Sequence, residues 1–126
     1  MTASRKAPGT VAARYEKAAR GYSRLRGRGV AGVVRRREQA AVLALTEAGP
    51  GRRILDVGCG DGEVAGLLIE RGAQVVAVDI ALAMADAAQR RGAWAVRGDM
   101  QALPLRSVLA NLYRCMSSRA LTVRWK

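Results

Sequence analysis

Residues 54–68 read ILDVGCGDGEVAGLL, and this stretch decides how the chain folds. An apolar run reaches Asp56 and is followed by three glycines at alternate positions between 58 and 62. Apolar residues then recur at helical spacing, as at Val64 and Leu68. The pattern predicts a strand that turns sharply into a helix, and such a turn leaves the amide groups of the first helical turn open to a ligand.

The residues after this stretch repeat the alternation of strand and helix. We predict strands at 53–57, 74–79 and 93–97, and helices at 63–71 and 81–91. The second strand, QVVAVD, is almost wholly apolar, which is typical of a parallel strand covered on both faces. The β-α-β-α-β order therefore predicts an α/β fold with a parallel sheet and right-handed crossovers.

The N-terminal part of the chain is helical in pattern. We expect a disordered tail at residues 1–9 and then a helix with Thr10 as its N-cap, which places Tyr15 and Tyr22 on one face. Residues 24–32 contain three glycines and are predicted to form a loop. A second helix is expected at about 32–48, with one apolar stripe made of Val34, Ala41, Leu45 and Ala48. The chain thus divides into a helical segment at 10–52, an α/β unit at 53–106 and an atypical basic tail at 107–126.

The net charge of +12 is concentrated at the two ends of the chain. Residues 1–53 carry a net charge of +10 and residues 101–126 carry +5, whereas residues 54–100 carry −3. A basic N-terminal arm is able to bind nucleic acid through phosphate contacts. With five aromatic residues and no RNA-binding motif, an arginine-rich solvated surface is the favoured interpretation.

Several classes of protein are disfavoured by composition. No apolar run approaches the roughly 20 residues that span a bilayer, and the N-terminus lacks the apolar core of a secretory signal. Cys59 and Cys115 lie far apart and the chain contains no histidine, which argues against a zinc site and against a disulfide framework. We therefore expect a reduced, cytoplasmic protein that has no metal site and no membrane span.

Acidic residues stand where two further predicted strands end. In a parallel α/β unit, ligands bind beyond the carboxyl ends of the strands. Asp79 ends the second strand, 21 residues after Gly58, the distance at which an acid reaches the ribose hydroxyls of a nucleotide bound over the first turn. Asp99 follows the third strand and is expected at the same edge of the sheet.

The glycine spacing and the charge of the turn both bear on which ligand it holds. A nicotinamide-binding turn has the pattern G-x-G-x-x-G, whereas this turn has G-x-G-x-G. The acids Asp56, Asp61 and Glu63 would repel a pyrophosphate but would attract a ligand with a positive centre. A nicotinamide-dependent oxidoreductase is therefore the less favoured hypothesis.

The segments ILDVGCGDGEVAGLLIERGAQVVAVDIALAMADAAQRRG and VRGDMQALPL together resemble the front half of a class I S-adenosylmethionine-dependent methyltransferase. The likeness covers about residues 53–105 and is to enzymes that modify small molecules, quinone precursors or tRNA. It implies a partial Rossmann-like parallel sheet, strands 1–3 of that fold, with N-terminal helices. It also implies S-adenosyl-L-methionine as cofactor and a small-molecule acceptor. The cofactor-binding residues that it implies are Tyr15, Tyr22, Asp56, Gly58, Cys59, Gly60, Asp79, Ile80, Met84, Asp99 and Met100.

The resemblance gives these residues individual roles. Residues 58–60 and Asp56 would hold the methionine part of the cofactor, with Asp56 near its amino group. Asp79 would accept from both ribose hydroxyls, and Ile80 would lie against the adenine. Cys59 is expected to be a small filler of the turn, because no base is available to activate it as a nucleophile.

Four further residues keep two interpretations each. Asp99 would accept a hydrogen bond from the adenine amino group, or it is only a turn residue. Met100 has a single expected role, in which its backbone contacts the adenine ring. Met84 lies against the adenine or belongs to the core. Tyr15 and Tyr22 either pack in the core, which is slightly favoured, or belong to an N-terminal segment that closes over the cofactor in the enzymes that this chain resembles.

The resemblance ends at about residue 107, after which the chain contains no acid and turns basic. Within this tail, residues 108–116 fit one helical face and residues 121–125 alternate like a strand. A shifted reading frame, a truncated relic and a natural short protein are three explanations, of which we favour the first two. Because the resemblance places acceptor-facing residues in the following half of the fold, no catalytic residue is assigned.

A sheet without its fourth to seventh strands has a physical consequence. The first strand would become an exposed edge, which predicts low stability or self-association through that edge. Two functions stay open: methyl transfer from S-adenosylmethionine, or a non-catalytic fragment that binds the cofactor or nucleic acid.

Overall fold

The computed structural model describes residues 8–19, 21, 28–103, 112–115 and 123–124. Helices and strands follow one another as α1 (Pro8–Ala18), α2 (Gly29–Thr46), β1 (Arg53–Val57), α3 (Glu63–Glu70), β2 (Gln74–Asp79), α4 (Leu82–Arg90), β3 (Trp94–Arg97), β4 (Leu112–Cys115) and β5 (Val123–Arg124). The β-α-β-α-β order predicted from 53 to 97 is confirmed, and each boundary lies within about one residue of its predicted place.

The five strands form one sheet in the order β3-β2-β1-β4-β5. β1 pairs in parallel with β2, with Ile54 opposite Val75, and β2 pairs in parallel with β3, with Val76 opposite Trp94. This is the α/β Rossmann-like arrangement that the sequence predicts for strands 1–3. Parallel pairing brings the carboxyl ends of β1, β2 and β3 to one edge of the sheet.

The prediction that β1 lies at an exposed edge is wrong. β4 pairs in parallel with β1, with Leu112 opposite Ile54, and β5 adds an antiparallel strand beyond it. Leu112, which fits a helical face in the sequence, is therefore in a strand, while Val123 is in a strand as predicted. A strand on each side of β1 pairs its backbone polar groups, so the expected self-association through β1 loses its basis. The rest of the 107–126 tail lies outside the described residues.

The core lies between the sheet and helices α3 and α4. Its largest fully buried side chains include Ile54, Leu68, Met84 and Val78. Alanines fill the closest contacts, because small side chains let a helix approach the sheet: Ala65, Ala77 and Ala88 each have no exposed surface. No helix in the described part of the chain is long and apolar enough to cross a membrane.

The two N-terminal helices begin earlier than predicted. α1 starts at Pro8 rather than after Thr10, because a proline in the first helical turn lacks only an amide that would have no helical partner. α2 starts at Gly29, within the predicted loop 24–32, whose residues 24–27 lie outside the described part.

Of the predicted apolar stripe of α2, Ala48 packs against the core just after the helix ends, whereas the other three residues are exposed. Val34 is 49% exposed and Leu45 is 65% exposed, while Val42 and Leu43 pack against the core. Apolar residues occur on both sides of this helix, so periodicity alone does not select the buried side. Arg35 lies on the inward side, where its guanidinium meets Glu63 of α3.

Candidate cofactor-binding site

The turn after β1 is fastened to the end of β2. The amides of Gly58 and Cys59 both donate to the carbonyl of Val78, at 2.7 and 3.1 Å. Gly58 and Gly60 adopt left-handed backbone conformations, with φ of 70° and 56°. The chain therefore reverses direction within a few residues at the carboxyl edge of the sheet.

Cys59 fills the inside of this turn. The side chain is buried, and its Sγ donates to the carbonyl of Gly60 over 3.5 Å. The filler role expected for Cys59 agrees with this packing.

Gly62 has a structural role that the sequence reasoning did not separate from the other glycines. It precedes α3 with φ at +75°, and a Cβ built on it would lie 2.4 Å from Cα of Ala88 in α4. A glycine here lets two helices meet at backbone distance, so the third glycine of the turn serves helix packing.

Asp79 is the side chain that joins the strand ends. It is 8% exposed; one carboxylate oxygen accepts from the Gly60 amide at 2.9 Å and the other from the Ala81 amide at 3.0 Å. Burial raises the pKa of Asp79, hydrogen bonds from the Ala81, Gly60 and Ile80 amides lower it in part, and the nearby charge of Glu16 raises it. The carboxylate thus ties the glycine turn to the beginning of α4.

Two more of the predicted site residues flank Asp79. Asp56 lies within β1 opposite Ala77 of β2 and has no exposed surface. Ile80 is half-buried, and its carbonyl accepts from Nε of Arg97 at 3.2 Å. The structure therefore brings Asp56, the turn and Asp79 to one edge of the sheet.

Two of the three acids counted at the turn have cationic partners. The carboxylate of Glu63 contacts the guanidinium of Arg35, and both side chains are largely buried. A carboxylate oxygen of Asp61 lies 3.9 Å from the guanidinium of Arg91, which also donates to the Asp61 carbonyl at 2.9 Å. Asp61 and Glu63 therefore offer a ligand less uncompensated negative charge than a count of the acids in the sequence implies.

The third strand end supplies Asp99 and Met100. Gly98 donates to the Asp79 carbonyl at 2.9 Å, which holds this loop beside β2. One carboxylate oxygen of Asp99 accepts from the Gln101 amide at 2.9 Å, so Asp99 stabilises a turn. This role does not exclude contact of its other oxygen with a ligand. Met100 is 40% exposed on the same loop.

The remaining predicted residues lie differently. Met84 is 1% exposed within α4, and of its two interpretations this burial favours the core. Tyr15 lies on α1 and is 41% exposed, so it does not pack fully in the core. Tyr22 lies outside the described residues.

Glu16 is a residue at this edge that sequence reasoning missed. Its carboxylate accepts from the amides of Leu82 and Ala83, the first residues of α4, with an oxygen 3.2 Å from the Ala83 nitrogen. The partners are 66 and 67 positions apart, and no local pattern of residues signals a contact across that distance.

A glycine turn after β1 and a buried acid at the end of β2 define a Rossmann-like nucleotide-binding unit. A family model described as "Methyltransferase domain" matches residues 54–124. The chain is also 32% identical over 117 residues to malonyl-[acyl-carrier protein] O-methyltransferase of Serratia marcescens, an alignment that covers 91% of this chain and 42% of that protein.

Solved structures of methyltransferases have the same fold as this chain. Magnesium protoporphyrin IX methyltransferase from Synechocystis, with S-adenosylhomocysteine bound, has a TM-score of 0.65 at 22% identity, over 86% of this chain and 57% of that one. An S-adenosylmethionine-dependent methyltransferase from Mesorhizobium loti has a TM-score of 0.52 at 28% identity, over 60% of this chain and 37% of that one.

The chain belongs to the methyltransferase domain family. It spans less than half the length of the Serratia marcescens relative that it matches.

Proposed function

We propose that this protein binds S-adenosyl-L-methionine at the carboxyl edge of its sheet and transfers the methyl group to a small-molecule acceptor. The observation that carries the proposal is the placement of Asp79. Its buried carboxylate ends β2 and is held by the amides of Gly60 and Ala81. A carboxylate has about four lone-pair sites, so the hydrogen bonds from the Gly60, Ala81 and Ile80 amides leave capacity to accept from a ribose hydroxyl.

The methionine end of the cofactor would lie on the glycine turn. Asp56 supplies a fully buried carboxyl group near Gly58 and Gly60, which suits an ammonium group. Cys59 shapes this turn through its buried thiol. The residues present therefore fit an amino-acid moiety that carries a positive charge.

The adenine end would lie between β2 and β3. We assign Ile80 to a face of the ring, the second oxygen of Asp99 to its amino group, and the backbone of Met100 to its edge. Met84 is assigned to the core. Tyr15 and Tyr22 are proposed to cover the nucleoside from the N-terminal side.

When bound, the cofactor would supply an electrophilic methyl group on a sulfonium, with the neutral thioether S-adenosylhomocysteine as the leaving group when a nucleophilic nitrogen, oxygen or carbon atom of the acceptor takes the methyl. The contribution of the chain's own residues is to bind, orient and exclude water. No catalytic base is assigned. By their names, two of the three similar proteins act on a carrier-bound malonyl group and on a magnesium porphyrin. The acceptor proposed here is left as a small molecule.

Isothermal titration calorimetry with S-adenosylhomocysteine tests the cofactor proposal. We expect saturable binding by the wild type, weaker binding by Asp79→Asn, and unchanged binding by Asp86→Asn, a matched control because Asp86 is an exposed acid of α4. Absence of binding at millimolar ligand would refute the proposal.

A second candidate function is binding of the cofactor without turnover. Binding of S-adenosylhomocysteine without methyl transfer to any acceptor in a panel would favour it. Binding of a duplex or single-stranded oligonucleotide would instead support the nucleic-acid alternative. We propose a cytoplasmic location for the protein.

A further inference from the structure

Helix α4 begins without a capping side chain of its own. Its N-cap residue is Ala81, and no acidic residue lies in its first turn. The first amides of a helix need acceptors, because they have no carbonyl partner within the helix. In this protein the acceptors come from two other elements.

Two carboxylates share the consecutive amides at this helix start. Asp79 of β2 accepts from Ala81. Glu16 of α1 accepts from Leu82 and Ala83. A negative charge is favoured at a helix N-terminus, so the same end of α4 stabilises both side chains.

This arrangement places Glu16 beside the ligand edge of the sheet. The helix start lies directly after Asp79, the residue that would take the ribose, and the charge of Glu16 acts on the Asp79 carboxyl group. The neighbouring Tyr15 is 41% exposed. Anchoring of Glu16 therefore fixes where α1 lies relative to that edge.

We propose that Glu16 is a positioning residue of the cofactor site: its carboxylate anchors α1 to the first turn of α4 and thereby strengthens binding of the nucleoside. The inference rests on the proposed function, because it concerns the affinity of the same site. In this role Glu16 acts through the start of α4, whose Ala81 amide also binds the Asp79 carboxylate.

Two variants separate the anchor from general folding. Glu16→Ala removes both acceptor oxygens, whereas Glu16→Gln keeps one oxygen that is able to accept from the Leu82 or Ala83 amide. Asp86→Asn is the control, since it removes a charge from an exposed position of α4 outside the first turn.

The first measurement is amide hydrogen exchange at Leu82 and Ala83 in the protein without ligand. We expect Glu16→Ala to lose protection at both amides, Glu16→Gln to keep part of it, and Asp86→Asn to resemble the wild type. Unchanged protection in Glu16→Ala would overturn the anchor.

The second measurement is the Kd of S-adenosylhomocysteine, taken well below the unfolding temperature of every variant. We expect Kd to rise about fivefold in Glu16→Ala, the factor that corresponds to the loss of one helix cap, and to recover towards the wild-type value in Glu16→Gln. A purely structural role would lower thermal stability without changing this Kd, and that result overturns the positioning role. If the wild type binds no S-adenosylhomocysteine, the proposed function and the positioning role both fail, while the exchange data still decide the anchor.

Discussion

Replacing Gly62 by alanine is a direct test of how the turn and the two helices fit together. The new Cβ would lie 2.4 Å from Cα and 2.7 Å from Cβ of Ala88, and the backbone atom cannot rotate away. The φ of +75° adds strain, because a left-handed conformation costs a residue with a Cβ about 1–2 kcal/mol. Overpacking adds about 1–3 kcal/mol, so we expect Gly62→Ala to lower the free energy of unfolding by about 2–5 kcal/mol.

Gly66→Ala is the matched control for this substitution. Gly66 lies inside α3, and a Cβ there would meet only side-chain atoms of Arg91, at 3.7 and 3.8 Å. Because alanine is the better helix former, we expect Gly66→Ala to stabilise the protein by about 0.5–1 kcal/mol. Urea unfolding followed by circular dichroism measures both variants. If Gly62→Ala unfolds within about 0.5 kcal/mol of the wild type, the close approach of α3 and α4 is wrong.

Three further predictions concern the charge of Asp79, the Arg35–Glu63 ion pair and the side of α2 that is buried. Burial raises the pKa of Asp79, and the ribose hydroxyls need an ionised acceptor. As the pH is lowered, the affinity for S-adenosylhomocysteine should therefore begin to fall at a higher pH than it would with an aspartate of ordinary pKa. A calorimetric pH series in which the affinity stays constant while Asp79 becomes protonated would contradict this. A double-mutant cycle of Arg35→Met and Glu63→Gln should give a coupling energy of about 0.5–1 kcal/mol, since both side chains are mostly buried, and zero coupling would exclude the ion pair. Leu45 is exposed, so Leu45→Ser should change the free energy of unfolding by less than about 0.5 kcal/mol. Leu43 packs against the core, so Leu43→Ala should lower the free energy of unfolding by about 1–2 kcal/mol. A larger effect of Leu45→Ser than of Leu43→Ala would support the apolar stripe predicted from the sequence.

The α/β unit was predictable because its signals are local and agree with one another. Glycine positions, apolar runs and the interval from Gly58 to Asp79 all lie within a short stretch of chain, and they predicted the strands, the turn and the edge at which the acids lie. The Rossmann-like order follows from these signals, because parallel strands joined by helices have few alternative connections.

The net charge of the glycine turn could not be predicted from the sequence, because it depends on which cations the acids meet. A sequence counts the acids near the turn but does not show which cation each one meets. Glu63 meets Arg35, which lies 28 positions earlier, and Asp61 lies near Arg91, 30 positions later. The expected preference for a positively charged ligand therefore draws little support from Asp61 and Glu63.

The sequence by itself determined the class of fold, the glycine turn and the acidic residues at its edge, because each depends on neighbours within a few residues or on one regular spacing. Only the tertiary structure decided the side on which α2 packs, the pairing of β1 with β4, and the use of Glu16 as the cap of α4. Those features depend on contacts between residues far apart in the chain. Several arrangements fit the local sequence pattern equally well, and burial and hydrogen bonding select one of them. The stretch ILDVGCGDGEVAGLL shows both contributions, since its turn is local whereas the need for Gly62 comes from Ala88 of another helix.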